Sequence, residues 1–330
     1  MMMNEAPDPL RKQIIPAPPA GRSRQPHDAH AALCVLVGSI LGIVSPLIGC
    51  CALGCGIREF METRQLKGFA LGALEGAAIA AASWFFDAGY AFSLAQGLLV
   101  ALGVTWCMRD RRATALGISA VIASVACITM VAVSVIASMA GSNIAEFSIA
   151  YLLSTARETS GNGIEQTVFI SSIAPIVQML WPLQYVLEAA VQAGAVGLGV
   201  QVMRMRVDGT QSAARLSAFR APGWSVAVLA VAIIGFGLSW AGVPYAHVLR
   251  VASATVAMSV RFIFAIQGFG IMFALFEHHR VGCAMRTMLV IIAVVVEMVS
   301  FVFSVVGLVD VWANFRSLLR IERPSSRNAM

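Results

Sequence analysis

Apolar runs of about twenty residues recur along this chain, and nearly all of its charge falls between them. A helix needs roughly 20 apolar residues to cross hydrocarbon, because its backbone N–H and C=O groups must all be satisfied within the segment. Runs of this kind occupy residues 31–56, 68–86, 90–108, 115–139, 183–203, 224–241, 250–276 and 287–309. Only 12% of the 330 residues are charged and 58% are hydrophobic, where soluble domains carry about 25% and 45–50%. So little charge cannot coat a water-soluble body of this size. A soluble globular protein, a disordered chain and a nucleic-acid module are excluded. The expectation is an all-α, polytopic transmembrane helix bundle of about eight spans.

Proline and length divide the chain further. Residues 1–29 hold Pro7, Pro9, Pro16, Pro18, Pro19 and Pro26, scattered charge and no apolar period, which predicts a disordered tail. No cleavage signal follows a charged start, so this is not a signal peptide. Residues 30–312 form the membrane domain. Residues 313–330, with Arg316, Arg320 and Arg323 at roughly helical spacing, read as a basic amphipathic tail lying on the membrane. The first run, 31–56, is broken by Pro46 and Gly49. It is too short for two full crossings, so a re-entrant segment or a hairpin of two short helices at Pro46 is expected. The stretch 167–203 is too long for one crossing and contains Pro175 and Pro182. It divides into a surface lead-in and a crossing from about Leu183. Residues 141–166 read as a loop.

The net charge is +6, and Lys12 and Lys67 are the only lysines among 23 basic residues. Arg58, Arg64 and Lys67, then Arg109, Arg111 and Arg112, then Arg204, Arg206, Arg215 and Arg220, then Arg280 and Arg286 fall in alternate connections. The positive-inside rule places these connections in the cytoplasm of a multi-pass plasma-membrane protein. Trp84, Trp106, Trp181, Trp224, Trp240 and Trp312 all fall near span ends, where an indole has one apolar and one wet side.

Four charges sit inside the runs: Glu75, Glu188, Arg261 and Glu297. A charge at mid-membrane costs about 2.5–3.5 kcal/mol on insertion scales, so such groups pair or face a cavity. Arg261 is expected to pair with one of the three glutamates. Gln184, Glu188 and Gln192 are spaced by four and share one helix face, the first choice for a ligand path. Gly68, Gly72 and Gly76 make a bare stripe beside Glu75 that suits close helix packing. The seven cysteines form no CxxC pair and no Cys/His set with zinc spacing. Cys50, Cys51 and Cys55 read as packing residues, and Glu277, His278 and His279 as an interfacial cluster. No metal and no cofactor is expected. HExxH, GxSxG and phosphate-binding-loop motifs are missing, so the chain does not read as an enzyme or as a self-contained ATPase.

Three separated motifs follow one another in the C-terminal half. The first is Phe219-Arg220-x-Pro222-x-Trp224, the second Gln267-Gly268, and the third Gly307-Leu308-x-Asp310-x-Trp312-x-x-Phe315-Arg316. In this order they resemble the YybS-like family of polytopic membrane proteins, a domain of unknown function, over about residues 174–320. That resemblance implies a fold distantly like the substrate-binding subunits of energy-coupling-factor vitamin transporters. Those subunits hold a small molecule inside a helical bundle and borrow a separate ATPase. They often present Ala-x-x-x-Ala on their first helix to dock the coupling subunit, where this chain has Gly38 and Gly42.

Two functions are therefore expected to compete, with a membrane-embedded transferase as a third and weaker reading. One is a transport-related small-solute-binding protein without its own ATPase, using Gln184, Glu188, Gln192, Arg261, Glu75 and Gln267. Its partners would be membrane lipid, an unidentified small molecule and a separate ATPase or coupling subunit, with no nucleic acid. The other is a membrane scaffold or morphogenesis protein acting through helix–helix contacts.

Overall fold

A computed structural model describes residues 27–109, 115–159, 164–208, 219–242, 244–279 and 281–315. The expected N-terminal tail up to residue 26, Arg111, Arg112, Arg215 and Arg280, and the basic tail from Arg316 onward lie outside the described residues. Every regular element among those described is an α-helix. They are α1 (Asp28–Val44), α2 (Pro46–Ser83), α3 (Ala88–Cys107), α4 (Ala115–Met139), α5 (Ile144–Thr159), α6 (Ile164–Leu180), α7 (Leu183–Asp208), α8 (Trp224–Leu238), α9 (Ala246–His278), α10 (Cys283–Ser300) and α11 (Val302–Ala313).

By length and composition five of these, α2, α3, α4, α7 and α9, suffice to cross a membrane, α2 with its two arms, which fold back at Gln65, taken together. The count rises to six if α10 and α11, bent by 92°, make one broken span. The apolar runs predict about eight, and the difference has a physical cause. α1 has 17 residues and α8 has 15, short of the roughly 20 that a full crossing takes. Residues 144–159, expected as loop, are the helix α5. Trp181 falls between the end of α6 and the start of α7, as expected, but its surroundings differ from the expected half-wet edge. It is buried, packed edge-on against Tyr185 in a cluster with Ala126 and Val251, whereas Trp84, Trp106, Trp240 and Trp312 are exposed near helix ends.

The chain reverses twice before residue 83. Pro46, at the first position of α2, follows an extended Ser45, and α2 folds back along α1. Gly49 lies against the Gly42 backbone, and Gly56 against Ala31 and Val35, so the expected two-short-helix hairpin forms. The second reversal is at Gln65, whose φ of 52° and ψ of −125° break α2 into two arms. Gly68 then meets the Phe60 carbonyl, and Gly72 meets Ile57 and Phe60, so the segments 46–64 and 66–83 run back along each other. The glycine stripe beside Glu75 is this contact. At the open end of the first hairpin Arg64 donates to Asp28 Oδ2 through Nε (2.8 Å) and a terminal N–H (2.5 Å). That contact holds the Asp28 carboxyl below the usual carboxylate range. The pair is thus intact at neutral pH and is lost only as acid titrates the depressed carboxyl.

The main core joins α1, α2, α3, α4 and α7 around Ile57, Val100, Val104, Val196 and Val200. Here α2 is the hub, packed on α1, α3 and α7. Gly54 faces the Val196 carbonyl, Gly199 faces the Cys51 carbonyl, and the Cys55 thiol donates to Gly199 O at 3.0 Å. The cysteine cluster is therefore a packing surface, with all three thiols free. A second close crossing joins α9 to α11. Gly268 sits on the Phe303 carbonyl and Gly307 on the Phe264 carbonyl.

Backbone lies where a side chain would go at Gly307, so Gly307→Val is expected to lower the stability of the purified protein by at least about 1–3 kcal/mol, the usual cost of overpacking. Gly194 and Gly237 have nothing within 4 Å of an added Cβ. Their alanine variants should keep the wild-type melting temperature in detergent.

Candidate functional site

Polar side chains inside the bundle fall into three groups. The first is on α7. Gln184, Glu188 and Gln192 share a face there as the spacing predicts, and Gln192 is buried at 2% exposure. Its amide nitrogen donates to Glu188 Oε1 at 3.4 Å, while its own Oε1 is buried without a partner. From α3, the buried Gln96 (4% exposed) turns its amide toward the Glu188 carboxylate as a hydrogen-bonding neighbour. Gln192 also lines a recess under the α1–α2 turn, with Gly42, Pro46, Cys50, Ser93 and Gly97. The cavity holds about 10 Å³, room for about one water. Glu188 itself is exposed on the flank of α7. The group thus offers a carboxylate and one spare amide oxygen, both on α7, with Gln96 of α3 beside the carboxylate. Gln96 was not singled out by spacing, because it is the only such polar residue inside its run and has no partner along the sequence.

The second group is on α9 and ties it to the last two helices. Arg261 pairs with Glu297, as one of the three expected choices. A terminal N–H donates to Glu297 Oε1 at 3.0 Å and to the Glu297 carbonyl at 3.2 Å, and Nε donates to Ser304 Oγ at 3.2 Å. Ser304 Oγ also bonds the same carboxylate. The guanidinium lies 3.6 Å from the ring centre of Phe301. Glu297 Oε2 accepts from the backbone N–H groups of Phe303 (2.8 Å) and Ser304 (3.2 Å), two orphan donors at the start of α11. One ion pair therefore caps the broken helix where the chain bends. Phe301 takes a left-handed conformation there (φ 58°, ψ 18°), unfavourable for a bulky side chain.

Gln267 works one and a half turns further along α9. Its Oε1 accepts from Ala221 N and its Nε2 donates to Asp310 Oδ2, both at 2.8 Å. Asp310 Oδ1 accepts from Phe315 N at 2.7 Å. The three motifs of the C-terminal half thus meet at one point: the Arg-x-Pro segment at Ala221, the Gln-Gly step at Gln267, and the terminal element at Asp310. Glu75 is on the second arm of α2, half-buried, and among the described residues no ion pair reaches it. Gln184, Glu188 and Gln192 are brought together. Arg261 and Gln267 stand in a separate network, and Glu75 stands in neither.

The third group is at the basic end of the bundle. His30, Cys34 and Glu59 bring an imidazole nitrogen, a thiol and a carboxylate oxygen within 4.8 Å of one another. A search for CxxC or paired histidines passes over this set. The available signal was His30-x-x-x-Cys34, one turn apart on α1, with the third group 25 residues away on the returning arm. Arg204 and Arg58 close the same end by donating to the Met108 and Arg109 carbonyls.

Glu297 is 3% exposed and the Arg261 side chain 17%. Removing one partner leaves the other charge uncompensated, at a cost of about 3–5 kcal/mol. Arg261→Leu alone is therefore expected to destabilise the protein more than Arg261→Leu combined with Glu297→Leu, as read by thermal unfolding in detergent.

No curated protein and no solved structure matches the chain. A family model described as "Predicted membrane protein (DUF2232)" matches residues 63–311, from the second α2 reversal to the Asp310 end of α11. With three quarters of its length so matched and five to six helices able to cross a bilayer, the chain belongs to this family of multi-pass membrane proteins.

Proposed function

We propose that this protein is a transport-related integral membrane protein that binds a small polar or cationic solute at the Glu188–Gln192–Gln96 face. The observation that supports it is the buried, unpartnered Gln192 Oε1 beside an ionisable carboxyl. A buried polar atom without a partner costs about 1–3 kcal/mol, and a ligand that satisfies it recovers that cost. The chemistry fits a solute carrying N–H donors for Glu188 and the Gln192 oxygen, with Gln96 steadying the carboxylate. A recess of about 10 Å³ is far below the 300–1,000 Å³ of ordinary ligand sites. Binding of anything larger than a water or a small ion therefore requires the α1–α2 turn, with Gly42 and Pro46, to shift off α3.

A separate ATPase partner, which the resemblance to energy-coupling-factor subunits implies, would fit the lack of a phosphate-binding loop in the sequence. Docking would not use Gly38 and Gly42, whose small faces are covered by Gly49, Ala52 and Leu53 of the same chain. The outward face of the hairpin, with Leu33, Ile40 and Ile48 more than half exposed, is the surface left for lipid or a partner helix. In the same reading the basic connections face the cytoplasm of the plasma membrane.

A scaffold role is the second reading. It is favoured by the fact that Arg261 and Gln267 are hydrogen-bonded within the fold, which leaves the α9 network holding helices together.

Mass spectrometry of small molecules retained by the gently purified protein tests the first reading. Glu188→Gln and Gln192→Leu should each reduce retention of the bound species by about tenfold, equivalent to 1.4 kcal/mol. Retention unchanged in both variants, with folding intact, would favour the scaffold.

A further inference from the structure

The start of α1 and the end of the first α2 arm carry three donor atoms of different chemistry. His30 and Cys34 are one helical turn apart on α1 and so project from one face. Glu59 comes from the returning arm, buried at 3% exposure. His30 Nδ1 and Glu59 Oε2 are in direct contact, and Cys34 Sγ lies 3.6 Å from the same imidazole nitrogen. The second carboxylate oxygen, Oε1, receives the His27 backbone N–H at 3.4 Å, which fixes the carboxylate plane. All three donor atoms lie within 4.8 Å of one another, and small movements would bring them around a common centre.

We infer that His30, Cys34 and Glu59 form a divalent-metal site, with Zn²⁺ or a similar borderline ion as its class of ligand. Nitrogen, sulfur and oxygen donors together suit zinc, which takes four tetrahedral ligands and leaves a fourth position for water when the protein supplies three. Hard ions such as Mg²⁺ and Ca²⁺ prefer an all-oxygen shell. A metal here would clip the open end of the α1–α2 hairpin, the end opposite the Pro46 turn. The three residues precede residue 63, where the family match begins, so membership of the family says nothing about them.

Arg206 gives the site a second feature. Its terminal N–H group stands 2.9 Å from His30 Nε2. Arginine only donates, so Nε2 accepts and the imidazole proton sits on Nδ1, pointing at Glu59. Metal bound at Nδ1 requires the other tautomer: the ring's single proton leaves Nδ1 and Nε2 takes one up, so that Nε2–H would face another donor. The Cys34 thiol gives its proton to solvent on binding. Arg206 must therefore swing away when metal enters, which makes it a cationic placeholder for the empty arrangement. Replacing it with an acceptor should favour the metal-bound one, because ligating histidines are steadied by an acceptor on the other ring nitrogen.

The test uses the full chain in detergent, titrated with Co²⁺ and Zn²⁺. The expected result is one Co²⁺ per chain with a thiolate-to-metal charge-transfer band, displaced by Zn²⁺. Cys34→Ser should abolish the band, Glu59→Gln should weaken Zn²⁺ binding by about tenfold or more, and Arg206→Gln should tighten it by a similar factor. Cys127→Ser, at an exposed thiol elsewhere, should change nothing. A wild-type protein that binds no Co²⁺, or binds it without a thiolate band, overturns the proposal and needs no variant to do so. Binding equal to wild type in Cys34→Ser and Glu59→Gln overturns it as well.

Discussion

Helices in hydrocarbon gain little by hiding apolar surface from one another, because lipid is as apolar as leucine. What holds them is close backbone contact and the occasional polar bond. This constraint accounts for most of the architecture. The crossings of α1 on α2, α2 on α7 and α9 on α11 each place a glycine where backbone atoms of the partner leave no room for a Cβ: Gly49 on Gly42, Gly199 on Cys51, Gly307 on Phe264. Such contacts lie in buried parts of the bundle, while the large side chains of α4 and α10, such as Val131, Met139, Val295 and Val299, are turned outward to meet lipid.

The polar bonds are placed where helices stop being regular. α10 ends at Phe301 and α11 starts there at 92°, so donors of a new first turn are released inside an apolar setting. Glu297 accepts two of them, Arg261 neutralises Glu297, and Phe301 covers the guanidinium. Asp310 repeats the arrangement at the other end of α11 by accepting Phe315 N, with Gln267 as its partner. Two charges that look like a transport pathway in a bare sequence are thereby accounted for by one bend. On α7 the Gln192 amide nitrogen donates to Glu188 while its Oε1 is left without a partner, and this open acceptor distinguishes the α7 face from the fully bonded α9 network.

Much of this architecture is legible in the sequence. The class, the turn at Pro46, the break at Pro182 and the pairing of Arg261 with a glutamate all follow from run length, proline position and the cost of a lone charge. The crossing count did not follow, because apolar content does not report length after a bend. Gln65 is a polar residue with no glycine or proline beside it, yet the chain reverses there. The cause is tertiary: Gly68 and Gly72 let the second arm lie on Phe60 and Ile57. Helix α5 is hard to read from the sequence because Glu146, Arg157 and Glu158 lower its hydropathy below that of a span, although Ser148 anchors it to Tyr185 of α7 through a 2.8 Å bond.

The same limit explains the His30–Cys34–Glu59 cluster. A motif search sees donors that are near in sequence, and here two of three are. The third becomes a neighbour only because the chain turns at Pro46, so that position 59 returns to the level of position 30. The two arms are nearly equal in length, 15 residues from His30 to Ser45 and 14 from Ser45 to Glu59. An antiparallel hairpin with a one-residue turn pairs positions by such equal counts. Turn position and donor spacing, taken together, therefore predict the meeting of these groups, which neither does alone.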